Sequence, residues 1–209
     1  MTVSRAFKQN SSINNATKEK IQAAADELGY IFNSTAAAFS SNKTGFIAVT
    51  VPSINNANFA ETLSGLADGL ANSGLQILLG HTGYSLKEEE RIIEEFLQKR
   101  PEAFIVTGGY HTPRCEKLLK SSGIPVIELW DIPNDPIDEV VGFSNAKAAS
   151  LIAEHFVELG YTKIGFIGGD ADRDTRGLDR RKGFLQKLQS YDLDTTRLVS
   201  SGPPPISMR

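Results

Sequence analysis

From Gly45 onward, apolar residues recur in two alternating rhythms. Phe46 to Val51 is a nearly continuous apolar run, Phe59, Leu63, Leu66 and Leu70 sit at helical spacing, and Leu75 to Leu79 is apolar again, which predicts strand, helix, strand. Ser85-Leu86-Lys87-Glu88 has the form of a capping box opening a helix through Ile92, Ile93, Phe96 and Leu97. Ala103 to Val106 follows as a third strand, and Pro113 starts the next helix. Ile124 to Leu129 and Val140 to Phe143 predict further strands, Asn145 to Leu159 a helix, Lys163 to Ile167 an extended segment and Arg180 to Leu188 a last helix. Such alternation implies an α/β protein with a parallel sheet covered on both faces, and sheets of that kind bind ligands outside the carboxyl ends of their strands.

The N-terminal stretch follows a different pattern. Val3, Ala6 and Phe7 form the apolar side of a short helix whose polar side carries Thr2, Ser4 and Arg5. A second helix starts at the N-cap Asn14, sets Ile21, Ala24, Ala25 and Leu28 at helical spacing to pack on Val3 and Phe7, and is stopped by Gly29. This is the pattern of the back end of a small DNA-binding head, with Arg5 reading a base edge and Thr2, Ser4 and Thr17 on phosphates. Ser34 to Lys43, rich in Ala, Ser, Thr and Asn, is a linker too short to hold a helix unaided in water.

Composition narrows the class. A chain of 209 residues, 40% hydrophobic, can bury one large or two small cores. Its apolar runs fall short of the roughly 18 residues that span a bilayer, and it opens on a polar helix rather than a charged-then-apolar segment, so a cytoplasmic location is expected. The net charge of -3 is uneven: residues 1 to 43 sum to +2, leaving -5 on the rest, which suits a basic head on an acidic sensor body. The single cysteine, Cys115, falls in a predicted helix without metal-ligand neighbours, so it is expected to be a structural thiol, with no zinc site and no cofactor. Gly168-Gly169 lacks the Gly-x-Gly-x-x-Gly turn, and a nucleophile elbow, a phosphate loop and a His pair at metal spacing are all absent from the sequence, so catalysis is not expected.

Thr2-Val3-Ser4-Arg5, Thr17-Lys18-Glu19-Lys20-Ile21, Glu27-Leu28-Gly29-Tyr30 with Asn33, Ile47 to Phe59, and Arg180-Arg181-Lys182-Gly183-Phe184 occur in an order that resembles the LacI family of sugar-responsive repressors. The resemblance covers essentially the whole chain. It implies a two-lobed parallel-sheet core like that of periplasmic binding proteins, preceded by a helix-turn-helix head and a hinge helix. On this pattern residues 1–33 are a partial DNA-binding head, 34–44 the hinge, 45–143 the N-terminal lobe and 144–209 a partial C-terminal lobe holding one strand flanked by two helices. Both ends then look truncated, and the chain is expected to have a frayed head and only nonspecific DNA affinity. The partners implied are operator DNA, bound by a homodimer, and a small sugar effector.

Asn33, Ala36 and Phe39 are the further DNA-contacting positions the resemblance implies. Phe32 stands where the family usually has proline, Ala37 where arginine is common, and Phe39 where a leucine wedge enters the minor groove. Phe39 has two readings, an intercalating wedge or a packing residue of the hinge pair. For the effector the resemblance implies Asn56 on hydroxyls, Phe59 stacked on a sugar face, His111 in the loop after the third strand, Trp130 beside Asp131, and Arg180 from the Arg-x-x-Gly-aromatic pattern. Each has an alternative: Phe59 in the core, His111 on a surface loop, Trp130 over the interlobe hinge, Arg180 solvated among Arg181 and Lys182. His81-Thr82-Gly83-Tyr84, His111-Thr112-Pro113-Arg114 and Ile124 to Leu129 look most like the gluconate-operon repressors, which implies a sugar acid, although Ser144 replaces a frequent aspartate. Two rival functions stand beside this one, a sugar-binding module without DNA function and a small α/β enzyme.

Overall fold

Short apolar runs satisfy their backbone polar groups by pairing edge to edge. In the computed structural model, which describes residues 2–7, 13–31, 43–168 and 174–200, five of them form one parallel sheet. Its strands are β1 (Phe46–Val51), β2 (Gln76–His81), β3 (Ala103–Thr107), β4 (Val126–Leu129) and β5 (Glu139–Val141), in the order β2-β1-β3-β4-β5. Ile47 lies opposite Ile77 on one side and Ala103 on the other, and Ile105 opposite Ile127. Parallel neighbours need crossovers, which α3 (Ala57–Leu70), α4 (Leu86–Leu97) and α5 (Pro113–Ser122) supply.

Both faces of this sheet are covered, which explains why β1 reads as a continuous apolar run rather than an alternating one. Ile47, Val49 and Val51 point to the side where Phe59, Leu63 and Leu66 of α3 pack. Ala48, Phe104 and Val106 point the other way, against Ile92, Ile93 and Phe96 of α4 and Cys115 and Leu119 of α5. Side chains start the helices: Asn56 Oδ1 accepts from the Asn58 N–H at 3.0 Å, Ser85 Oγ from Glu88 at 3.3 Å, and Thr112 Oγ1 from Cys115 at 3.0 Å.

After β5 the chain forms α6 (Asn145–Glu158), β6 (Phe166–Gly168), α7 (Thr175–Gln189) and β7 (Leu198–Ser200). Ala149 and Ala153 of α6 pack with Phe184 and Leu188 of α7 and with Ile164. Two expectations are corrected here. A second strand, β7, pairs in parallel with β6 through Phe166–Leu198, Ile167–Val199 and Gly168–Ser200, so this part of the chain holds a further strand after its second helix. And α7 begins at Thr175, five residues before the predicted start, because Arg176, Gly177 and Asp179 in its first turns hide the apolar period.

The chain divides into two compact units, Met1–Thr44 and Gly45–Arg209. In the first, α1 (Thr2–Ala6) meets α2 (Asn15–Glu27) through the buried Ala6 and Ala25, and Phe7 lies 6.2 Å from the Tyr30 ring. The expected packing of Leu28 on Val3 is not made: Leu28 is 81% exposed and Val3 50% exposed. Leu28 is the C-cap, where the chain leaves the helix and turns its side chain away from α1. Among the described residues no helix is long and apolar enough to cross a membrane.

Candidate functional site

Within the second unit, the carboxyl ends of β1 and β4 face the first turns of α3, α6 and α7 around a cavity of about 190 Å³. Its apolar wall is an aromatic chain. Phe59 and Trp130 meet edge to face at 5.8 Å, and Trp130 and Phe143 at 6.2 Å. Phe59 is 5% exposed within the core beneath α3 and also lines the cavity. Trp130 is fixed by an indole N–H that donates to Thr62 Oγ1 at 3.1 Å, and by a backbone φ of 68°. Tyr84, on the same cavity, has φ 61°. Two non-glycine residues held in the left-handed region, each at a cost of about 1–3 kcal/mol, mark a place where the surrounding structure dictates side-chain direction.

The polar wall comes from Asn56, Asn58, Asn145 and the start of α7. Arg180 Nη1 donates to Asn145 Oδ1 at 2.7 Å and Nη2 to Asp174 Oδ2 at 3.0 Å. Asn145, 1% exposed, in turn donates from Nδ2 to the Trp130 carbonyl at 3.0 Å and to Asp131 Oδ1 at 3.3 Å. The close approach behind this network requires glycine. A Cβ at Gly183 would lie 2.0 Å from the Ala146 carbonyl oxygen, so the glycine of the Arg-x-x-Gly-aromatic pattern lets α7 press on the first turn of α6 and bring Arg180 to Asn145. A Cβ at Gly177 would meet Asp174 Oδ2 at 2.5 Å, displacing the carboxylate that holds Arg180.

Asn58, Asn145, Asp174 and Arg176 of this wall were absent from the effector contacts expected from the sequence, and Arg176 is the cation among them. Arg176, 8% exposed, lies with its guanidinium 5.4 Å over the Phe59 ring. Burial pulls its pKa below the usual arginine value, against the raising effect of Asp174. The sequence signal available was its position one helical turn before Arg180, which is legible only once α7 is known to start at Thr175.

Asn56, Phe59, Trp130 and Arg180 are thus brought together on one cavity, and His111 is placed elsewhere. Its ring is 1% exposed, with Nδ1 2.7 Å from Glu89 Oε2 and Nε2 3.5 Å from Glu128 Oε1. Burial opposes charge on this imidazole, but Cys115, Glu128 and Glu89 around it outweigh burial and push its pKa up to about 12. A surface-loop histidine is therefore not what the chain forms. The expectation that Cys115 has no metal-ligand neighbours is also corrected: donor atoms of Glu89, His111 and Cys115 lie within 4.8 Å of one another, because α5 begins directly after the His111 loop and packs on α4. Ser144 caps α6, its Oγ accepting from the Lys147 N–H at 3.2 Å.

In the first unit Arg5 on α1 and Thr17 in the first turn of α2 are exposed. Thr2 and Ser4 lie on α1. Asn33, Ala36 and Phe39, with the proposed hinge helix, fall outside the described residues.

The second unit is a parallel-sheet core with an aromatic and cationic cavity, and a small helical unit precedes it in the chain. Residues 42–202 match the family of periplasmic binding proteins and sugar binding domains of the LacI family, and residues 1–33 match the bacterial regulatory proteins of the lacI family. The chain belongs to the LacI family. It is 36% identical over 195 residues to the HTH-type transcriptional regulator GntR of Pseudomonas aeruginosa, covering 92% of this chain and 56% of that one. A LacI-family transcriptional regulator from Silicibacter pomeroyi superposes with a TM-score of 0.88 at 34% identity, over 97% of this chain and 60% of that one. The transcription regulator GntR from Chromobacterium violaceum gives 0.67 at 30% identity, over 78% and 60%. The chain thus spans little more than half the length of the relatives it matches.

Proposed function

We propose that this protein is a DNA-binding transcriptional repressor whose hold on its operator is set by a small sugar acid, gluconate or a related aldonate, bound in the cavity beside Trp130. The observation that carries this reading is the composition of that cavity: an edge-to-face aromatic wall opposite carboxamides and guanidinium groups. Aromatic faces suit the C–H surface of a polyol, carboxamides suit its hydroxyls, and guanidinium suits a carboxylate. The similarity to GntR regulators supports the same ligand class. The unit Met1–Thr44 is the DNA-binding part, with Arg5 on a base edge, Thr2, Ser4 and Thr17 on phosphates, and Asn33, Ala36 and Phe39 toward the minor groove. Two copies of the protein read two half-sites. The protein acts by binding rather than by catalysis.

With the protein extended to the length of its relatives, calorimetric titration with gluconate, ribose and hypoxanthine tests the ligand class, and recovery of bound DNA from a random pool, with and without gluconate, tests the coupling. Gluconate is expected to bind and to release the selected DNA. Binding of ribose or hypoxanthine with no aldonate binding would overturn the effector assignment, and consumption of the ligand would overturn the assignment as a non-enzyme.

A further inference from the structure

Arg176 and Arg180 stand on successive turns of α7, yet their surroundings differ. Arg180 is 42% exposed at its side chain, and its two terminal nitrogens are engaged by Asn145 and Asp174. Arg176 has a side chain only 10% exposed, and its nearest carboxylate contact is a loose one, Nε to Asp174 Oδ1 at 4.0 Å. Its Nη1 is buried without a hydrogen-bond partner among the described residues, although the side chain lines the cavity. A buried guanidinium with an unpaired N–H carries a full desolvation penalty that only an acceptor, best an anion, removes. Asp174 already serves Arg180, so the cleft presents one arginine whose charge is spent on the protein and one whose charge is not.

Resting on the proposal that this cavity is the effector site, we infer that Arg176 is the residue that selects an anionic ligand: its Nη1 takes the carboxylate of the sugar acid, while Arg180, oriented by Asn145 and Asp174, serves the hydroxyl-bearing end. The Arg176 guanidinium lies 5.4 Å over the Phe59 ring, a cation–π contact that holds it at the aromatic wall. Phe59, under Arg176, meets Trp130, and the Trp130 carbonyl accepts from the Asn145 that also holds Arg180, so a linear chain of hydroxylated carbons would link the two arginines along these rings. The ligand class is accordingly a carboxylate-terminated polyol rather than a neutral sugar.

The test compares gluconate with gluconamide, which has the same length and hydroxyls but no charge, by calorimetric titration of the wild-type chain and of Arg176→Gln, Arg176→Lys and Arg180→Gln. Wild type is expected to prefer gluconate by about 10- to 100-fold, the range for a charge-assisted hydrogen bond at a desolvated site. Arg176→Gln should erase that preference, Arg176→Lys should keep part of it, and Arg180→Gln should weaken both ligands while leaving their ratio. Thermal unfolding without ligand separates this role from a structural one. Removing an unpaired buried charge should leave the midpoint of Arg176→Gln unchanged or higher, whereas a structural arginine would lower it. A preference retained in Arg176→Gln, or a wild type that binds both ligands equally, would overturn the assignment while leaving the sugar site standing. Failure of wild type to bind either compound would overturn the effector reading and the inference with it.

Discussion

His111 is an imidazole between two buried carboxylates, and its energetics depend on its proton. With Glu89 at 2.7 Å and Glu128 at 3.5 Å, the ring is the cation that lets two carboxylates be buried at 4% and 1% exposure. Replacing it with a neutral side chain leaves those charges uncompensated, so His111→Gln is expected to lower stability by about 3–5 kcal/mol, measured by denaturant unfolding. The sign of its pH dependence follows from the raised pKa. Against an ordinary value of 6.5, a folded-state value of about 12 means that the stabilisation is complete below pH 6.5 and is lost progressively as pH rises toward about 12. The gap between wild type and His111→Gln should therefore narrow from pH 6.5 to about pH 10, and a gap that widened would refute the imidazolium brace. At the same scale, in a protein extended to the length of its relatives, Arg5→Ala should lose about 1–3 kcal/mol at one operator position and relax specificity there. Thr17→Ala should instead weaken all sequences alike, as a phosphate contact does; both are read by mobility shift across single-base operator variants.

Helices carry glycine in two opposite senses here. Gly69 lies inside α3, exposed, with nothing within 4 Å of an added Cβ, so Gly69→Ala should gain up to about 1 kcal/mol from reduced backbone entropy and better helix propensity. Gly183 lies inside α7 with the Ala146 carbonyl 2.0 Å from the site of a Cβ, so the same propensity gain is opposed by displacement of one helix from another. Overpacking of that kind costs about 1–3 kcal/mol, and contact with backbone rather than a movable side chain places it at the upper end. Gly183→Ala should then be destabilising and should also weaken ligand binding by withdrawing Arg180 from Asn145, an outcome that paired thermal unfolding and calorimetry of the two variants would show. Most helices and strands were legible from period alone, since the apolar runs of β1 and β3 and the spacing of Phe59 to Leu70 have one satisfactory arrangement each. The start of α7 and the existence of β7 were not. The first turns of α7 are nearly all polar or glycine, and β7 spans only Leu198–Ser200, too short for any alternation to register.

For the whole molecule, the two units predict separable unfolding. The described residues of Met1–Thr44 bury only Ala6 and Ala25, whereas Gly45–Arg209 holds three apolar clusters. Calorimetric scans should resolve a low-temperature transition for the first unit, and ligand at 100 times its dissociation constant should stabilise the second alone by about 2.7 kcal/mol. A single transition shifted as one by gluconate would show that the units fold together. By itself the sequence determined the fold class, the succession of strands and helices as far as α7 and four members of the cavity, Asn56, Phe59, Trp130 and Arg180, because period and motif order are properties of the chain as a line. Only the tertiary structure decided what required distances across it. It turned His111 away from the cavity into a carboxylate pair supplied by α4 and β4, set Cys115 beside it, and left Arg176 Nη1 buried without a hydrogen-bond partner among the described residues, because burial and hydrogen bonding depend on which distant segments meet.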